Sequence, residues 1–491
     1  MTKILLIIDR FVWGAPALVL ILGVGLWLSV KTGFAQLTLF PKALKSFCSK
    51  FRPSTRQDGT VSPFQALCTA LAATVGTGNL VGVAGALAIG GPGAIFWMWI
   101  CALLGMMTKF AEATLAVRFR TRDENGEVIG GPMYMISRGM GKKWAWLAGL
   151  YSFFGVVAAF GVGNATQVNA VVGSVNQVLL RFGIPQTLQG NLLMGLGIAA
   201  LVASMLLGGM RRIGAVAERL VPLVSACYIL LSLGVLILRW QYLGDAFRAI
   251  LEGAFAPRAV TGGVIGSAFT ALRVGVSRGV FTNEAGMGTA SIAHAAAQVE
   301  HPAEQGLMGI MEVFIDTIVI CTMTALVILV SGIPVDYGTD AGVSLTTQAF
   351  CSVWGDWASI FLAAALSCFA LATVLGWGLY GIRCAQYLFG TGVYKRFVML
   401  QAATVVLGAV LRADTVWMLS ETVNGLMAIP NLIALWVLCP ELVRLTREYK
   451  ELQAAKAACG GTYENFHQCK PLRTLSYEKI PSPGSAGKAE R

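Results

Sequence analysis

Charged residues are scarce in this sequence. Asp, Glu, Lys and Arg make up 13% of its 491 residues, where a soluble chain carries about a quarter. Catalytic signatures are also missing. There is no Walker A loop or HExxH, which argues against an ATPase or a metalloprotease. No CxxC pair occurs, and the eleven cysteines fall mostly inside apolar runs, where they read as small apolar filler. Cys459 and Cys469, with His467 between them, have a spacing that argues against a metal site. What is abundant is apolar: 56% of the residues are hydrophobic and 57 are glycine, with a mean hydropathy of +0.69. Glycine at that level suits close helix packing and broken helices within a bilayer. The net charge of +12 is spread between apolar runs rather than gathered in a patch, so it speaks for membrane topology and against nucleic-acid binding.

A membrane-crossing helix needs about 20 mostly apolar residues. Eleven segments fit, at 12–30, 63–90, 92–117, 144–178, 189–207, 214–238, 260–298, 304–331, 354–388, 394–411 and 414–439. The first resembles a signal peptide in its basic start and apolar run. However, Asp9 and Arg10 interrupt it and no A-x-A site follows, so it reads as a retained span. Residues 440–491 are polar and read as an exposed helix passing into a disordered tail. No segment resembles a soluble domain.

Lys and Arg favour the cytoplasmic side of a membrane. The loops after odd-numbered spans and the C-terminal tail, with Arg383, Lys395 and Arg396 around the junction of spans 9 and 10, hold 26 of them; the opposite side holds 7 and the remaining 4 fall within spans. The asymmetry predicts an outer N terminus and a cytoplasmic C terminus.

Two spans stand apart. Span 2 contains ATVGTGNLVGVAG (73–85) and span 7 contains RVGVSRGVFTNEAGMG (273–288). Each glycine in a helix interior costs about 1 kcal/mol relative to alanine, so such clusters argue for planned breaks. The two spans begin the sets 2–6 and 7–11, and an odd number of spans per set inverts the second set relative to the first. Discontinuous helices at matching positions of inverted halves point to a transporter site near the midplane. A break in lipid exposes N–H and C=O groups that cost several kcal/mol each unless satisfied, and a zwitterion with a cation can satisfy them. On this reading the N–H groups near Thr77 and Gly78 take a carboxylate, carbonyls from Ala72 to Val75 face a cation, and the Asn79 side chain ties the unwound segment together. The alternative is that glycines 76, 78, 82 and 85 simply admit another helix.

Ionisable residues at membrane depth are functional candidates by default. Here they are Lys109, Glu112, Arg273, Arg278, Glu284, Glu312 and Asp316. Lys109 and Glu112, three apart on a helix, are expected to pair with each other. Arg278 and Glu284 flank the span 7 break as a gate or brace. Asp316 suits either an ion site or a structural bond to a neighbouring helix. His294 and His301 are expected near a cytoplasmic loop, without chemistry.

Seven stretches carry a resemblance to a known family: QALCTALAATVGTGNLVGVAGAL (65–87), GGPGAIFWMW (90–99), FAEATLA (110–116), GGPMY (130–134), RGVFTNEAGMGTASIAHAAA (278–297), FIDTIVICT (314–322) and LGWGLYG (375–381). Over nearly its whole length the chain resembles the alanine or glycine:cation symporter (sodium:alanine symporter) family. The resemblance implies an all-α polytopic membrane protein with a leucine-transporter-like (LeuT-like) 5+5 inverted-repeat fold and one extra N-terminal helix. That divides the chain into the extra helix and a loop (1–60), a first repeat (61–240), a second repeat (241–439) and a cytoplasmic tail (440–491). The implied activity is symport of a small neutral amino acid with Na⁺ by alternating access in a bacterial inner membrane, with no cofactor beyond the coupling ion and no catalysis. Coupling to H⁺, or a glutamine or serine substrate, is the alternative within this fold. A passive facilitator fits less well, because the polar positions cluster at two breaks rather than lining a pore.

The segment TVGTGN (74–79) looks like the counterpart of the AVGLGN break of the leucine-transporter fold. By that resemblance Thr77 and Gly78 bind the substrate carboxylate through their backbone, and Ala72 and Val75 offer carbonyls to Na⁺. Thr373 on span 9 serves both ion and substrate, and Trp377, one turn on, caps the side-chain pocket or is a plain core aromatic. In span 7, Val274, Gly275 and Phe281 are the expected substrate-facing positions. The chain departs from the family form LGWxYYGERC at Leu379 and Ile382. Ile382 leaves Arg383 without its adjacent acid and puts an inner salt bridge there in doubt. Thr282 stands where serine is common, a conservative change.

Overall fold

A computed structural model describes residues 14–49, 60–339, 342–411 and 413–458; the Cys459, His467 and Cys469 cluster lies outside them. The structure is 84% helical. In chain order, α1 is Ala15–Thr32 and α2 the amphipathic Phe40–Ser49. Next come α3 (Pro63–Thr74), α4 (Gly78–Gly90) and α5 (Gly93–Arg118). A short hairpin of β1 (Thr121–Arg122) and β2 (Val128–Ile129) leads to α6 (Lys142–Arg181). Then follow α7 (Leu188–Leu206), α8 (Gly209–Leu238), α9 (Leu243–Phe255), α10 (Ala268–Asn283) and α11 (Thr289–His294). The remainder is α12 (Pro302–Val330), α13 (Gly342–Trp354), α14 (Trp357–Phe389), α15 (Tyr394–Val410), α16 (Ala413–Val437) and α17 (Cys439–Ala458).

Seven of these helices are long and apolar enough to cross a membrane, and α3 with α4 form an apolar pair bent by 53°. Their outer faces carry exposed large apolar side chains, among them Leu193, Leu230, Ile237 and Met399. Faces of that kind suit lipid and would be a liability in water. The segment 260–298 opens within its glycine cluster as expected, with α10 and α11 separated at residues 284–288. Its start needs correction: the helix begins only at Ala268, after Gly262 and Gly263 with positive φ. The stretch after residue 440 is not simply exposed: Leu442, Leu445, Thr446 and Tyr449 of α17 are buried.

The helices pack in a distinctive pairing. α5 packs most extensively on α12 and α10, α6 on α14, and α7 on α15. Each of the pairs α5–α12, α6–α14 and α7–α15 joins helices at matching positions of the two sets of five expected from the sequence. α1 sits outside this arrangement, docked on α5 and α16 with Trp27 stacked on Trp436 at 4.8 Å between ring centroids.

The hairpin supplies another correction. Ile382 does leave Arg383 without a neighbouring acid in sequence, yet the Arg383 guanidinium reaches Glu127 at 2.5 Å and Asp123 at 3.6 Å. A salt bridge does form at this point, with acids drawn from the hairpin. A cavity of about 510 Å³ opens beside it, lined by Val61, Arg122, Met210, Ala296 and Arg383 among others.

Candidate functional site

The first break follows from local chemistry. Ser62 caps α3 by accepting from the Gln65 N–H at 3.0 Å, with Pro63 at the first helical position, a favoured start. The helix ends at Thr74, and Val75 is extended (φ −74°, ψ 101°). Its last carbonyls, those of Ala72 and Ala73 among them, and the leading N–H groups of α4 have no partners within their own helices. Asn79 bridges the gap: its Oδ1 accepts from the Gly76 N–H at 2.9 Å while its Nδ2 donates to Asp316 Oδ1 at 2.7 Å. Asp316 also accepts from Thr317 Oγ1 at 2.7 Å. The Thr77 hydroxyl is fully buried and has no hydrogen-bond partner among the described residues.

Four further helices close around this break. On α14, Thr373 donates to the Phe369 carbonyl, and a Cβ on Gly76 would stand 2.7 Å from its Oγ1. α14 also presses on the end of α3, where a Cβ on Gly376 would meet Ala73 at 2.8 Å. From α6, just past a π-helical turn at Gly161–Ala165, Gln167 points its Oε1 toward Gly76 with no partner among the described residues. From α10, Phe281 and Thr282 pack on Gly78. On the far side, Thr346 of α13 donates to the Leu80 carbonyl at 3.0 Å.

The second break uses positive φ. Glu284 sits in the left-handed region at φ 54°, followed by Gly286 (97°) and Gly288 (76°); glycine adopts such angles readily. Its exposed amides are held from within the chain. Glu112 Oε1 accepts from the Gly286 N–H at 2.9 Å, the Gly288 N–H at 3.0 Å and Asn431 Nδ2 at 2.7 Å. Glu284 itself accepts from Thr289 Oγ1 at 2.6 Å and from the Trp377 indole N–H at 2.8 Å.

Several expected roles change in this arrangement. Val274 and Gly275 lie more than two turns before the break and are packing residues. A Cβ on Gly275 would stand 2.3 Å from the Ala94 carbonyl oxygen, and Val274 abuts Gly90. Lys109 does not pair with Glu112, whose carboxylate is drawn to the amides of the second break; it pairs with Glu312 of α12 at 2.8 Å. His294 ends α11 beside the 295–301 loop, as expected, but it is buried, with Nε2 2.9 Å from Glu312 and Nδ1 bonded to Gln305. Arg278 is half-buried with its guanidinium over the Phe281 ring at 5.9 Å, while Glu284 bonds to Thr289 and Trp377. Arg273 is exposed.

Gln167 and Asn431 are additions. Nothing in their local sequence marks them, since only the packing of α6 and α16 brings them to the breaks. Thr282 lies within the 273–288 cluster, and the packing of α10 sets it against Gly78.

The profile of the sodium:alanine symporter family matches residues 1–460. The chain belongs to that family. Among its relatives are the sodium/alanine symporter AgcS of Methanococcus maripaludis, 42% identical over 92% of this chain and 97% of the relative, and a transporter of Haemophilus influenzae, 44% identical over 91% and 96%. The probable sodium/glutamine symporter GlnT of Bacillus subtilis is 35% identical over 91% of each chain. Among solved structures, MhsT in complex with L-phenylalanine superposes with a TM-score of 0.55 at 15% identity, over 80% of this chain and 99% of that one. That likeness establishes the fold of a polytopic membrane transporter. As a family member, the chain is a multi-pass sodium-coupled amino-acid symporter and not an enzyme.

Proposed function

We propose that this symporter imports a small neutral amino acid, alanine or glycine, with Na⁺ by alternating access at the first break. The observation that carries this reading is the set of unsatisfied groups around Gly76: the buried Thr77 hydroxyl and Gln167 Oε1, with Thr373 facing them from α14. A substrate carboxylate fits the leading N–H groups of α4 at Thr77 and Gly78, on the positive end of the helix. Na⁺ fits the freed carbonyls of Ala72 and Val75 with the Thr373 hydroxyl, a set of oxygen donors suited to a hard cation. Phe281 and Trp377 border the substrate side chain. The second break, filled by Glu112, serves as a hinge rather than as a carboxylate site.

Eleven spans in two inverted repeats, 61–240 and 241–439, with α1 as an extra helix, fit the pairing of α5 with α12, α6 with α14 and α7 with α15. The Lys and Arg distribution supports an outer N terminus and a cytoplasmic C terminus. One Na⁺ crossing ~100 mV supplies ~2.3 kcal/mol, and a roughly tenfold Na⁺ gradient adds ~1.4 kcal/mol, enough for a substrate gradient of several hundredfold on the same arithmetic.

Asp316 favours a second reading of the coupling. Buried and bonded to Asn79 at the break, it is placed to carry a proton or to hold a cation as substrate binds. Radiolabelled alanine uptake into proteoliposomes separates the two. Uptake driven by an inward Na⁺ gradient and lost in choline supports sodium coupling; uptake driven by a pH gradient in choline overturns it. Competition by glycine, serine and glutamine ranks the substrates.

A further inference from the structure

We propose that Gly163 and Glu284 are positioning residues that clamp the Trp377 indole as the wall limiting substrate size. The inference rests on the substrate site proposed above and assigns its selectivity to two residues on other helices. Trp377 lies four residues after Thr373 on α14, so both side chains lie on one face, with Thr373 against Gly76. The ring is fully buried and fixed from several sides. Its N–H is held by Glu284 Oε1 at 2.8 Å, and Glu284 is held in turn by the Thr289 hydroxyl at 2.6 Å. The Glu284 backbone is pinned in the left-handed region where α10 ends, its N–H bonded to the Val280 carbonyl at 2.8 Å. Tyr380 meets the ring edge-on at 5.9 Å.

Gly163 closes the remaining approach. It belongs to the π-helical turn of α6, and a Cβ there would stand 2.2 Å from Trp377 Cβ and 2.4 Å from Cγ. Glycine at 163 is therefore a matter of space: the nearest clash is with Trp377 Cβ, so any side chain forces α14 away from α6 and carries the indole with it. A rotatable tryptophan beside a small site would yield to a longer substrate; one bonded at its nitrogen and wedged at its base does not. The role of Glu284 here is to accept a hydrogen bond, since each of its oxygens is engaged by a donor.

The test is competition against sodium-driven alanine uptake in proteoliposomes by alanine, 2-aminobutyrate and norvaline, a series that lengthens one methylene at a time. Glu284→Leu keeps the volume but removes the acceptor, Trp377→Phe removes the donor, and Gly163→Ala pushes the ring. Each is expected to lower the preference for alanine over norvaline about tenfold, the scale of one or two methylenes in an apolar pocket. Glu284→Gln keeps an oxygen for the indole N–H and an NH₂ for Thr289, and is expected to retain the wild-type profile and sodium stimulation. Glu284→Leu should add nothing in a Trp377→Phe background.

A Glu284→Gln protein that loses sodium stimulation, or as much selectivity as Glu284→Leu, overturns the clamp, because the charge and not the bond is then required. Unchanged profiles in Trp377→Phe and Gly163→Ala overturn it as well. If Glu284→Leu does not yield a monodisperse protein, those two variants carry the comparison. A wild-type protein that transports another amino acid instead of alanine overturns the substrate reading alone; the clamp is then judged by whether the same variants shift the size profile of that substrate's competitors.

Discussion

Lys109 and Glu312 form a salt bridge of 2.8 Å between α5 and α12, the two helices that pack most extensively on each other, and the pair is 1% and 0% exposed. The other carboxylate oxygen of Glu312 meets His294 Nε2 at 2.9 Å, so three helices share one buried acid. Removing one member of a buried pair strands the other charge and costs about 3–5 kcal/mol. Lys109→Met is therefore expected to lower the thermal unfolding temperature of the purified protein sharply. Adding Glu312→Leu should recover part of that loss. Equal stability of the wild type and the Lys109→Met single variant, measured by scanning fluorimetry in detergent, would show that the pair contributes nothing.

Gly82, at the first break, and Gly93, at the start of α5, are glycines of two kinds, and alanine scanning can tell them apart. Gly82 has no neighbour within 4 Å of an added Cβ. Gly82→Ala should leave transport intact and stabilise by up to about 1 kcal/mol. Gly93, just beyond α4, would place its Cβ 2.1 Å from the Gly253 backbone, where no side chain can yield. Gly93→Ala should cost more than about 4 kcal/mol or abolish folding. Comparable expression and melting of the two variants would contradict the helix contacts described here.

How much of this was legible in the sequence depends on whether the cause is local. The bend at Val75–Thr77 falls inside the 73–85 glycine cluster because extended Val75 and the Asn79 cap are short-range features. The second cluster, 273–288, is legible only at its end. Gly275 and Gly279 are notches for α5, and the chain opens where Glu284, Gly286 and Gly288 take positive φ; nothing in composition separates a notch from a hinge. The Lys109–Glu112 expectation failed for a related reason. Three-residue spacing places two side chains on one face, but α12 and the α10–α11 break compete for each of them. The partners of Arg383 lie over 250 residues away in the hairpin, and Gln167 reaches the site only once α6 is packed.

Arg383 joins the C-terminal end of α14 to the hairpin through Glu127 and Asp123, beside the cavity of about 510 Å³. A contact of this kind restrains the C-terminal end of α14 in the state observed. Arg383→Ala should free it. In a background with its native cysteines replaced, Val61→Cys at the cavity wall should then react several-fold faster with a membrane-impermeant thiol reagent applied from the side on which the C terminus lies. An unchanged labelling rate would mean that the cavity opens independently of this bridge.

The sharpest test of the ion site is Thr373. Its hydroxyl already spends its proton on the Phe369 carbonyl at 3.0 Å, which leaves the oxygen lone pairs directed toward Gly76 and the freed end of α3. A hydroxyl so arranged accepts; it suits a cation better than a carboxylate. Thr373→Ala removes that oxygen while keeping the Cβ that packs at Gly76, so the fold should survive. The sodium concentration for half-maximal uptake is expected to rise about tenfold or more, equivalent to ~1.4 kcal/mol, the scale of one lost ligand bond to a charge. Thr373→Ser restores the oxygen and should restore the sodium response. If Thr373→Ala takes up alanine with the wild-type sodium dependence, the cation does not sit between α3 and α14, and Asp316 becomes the residue to change next.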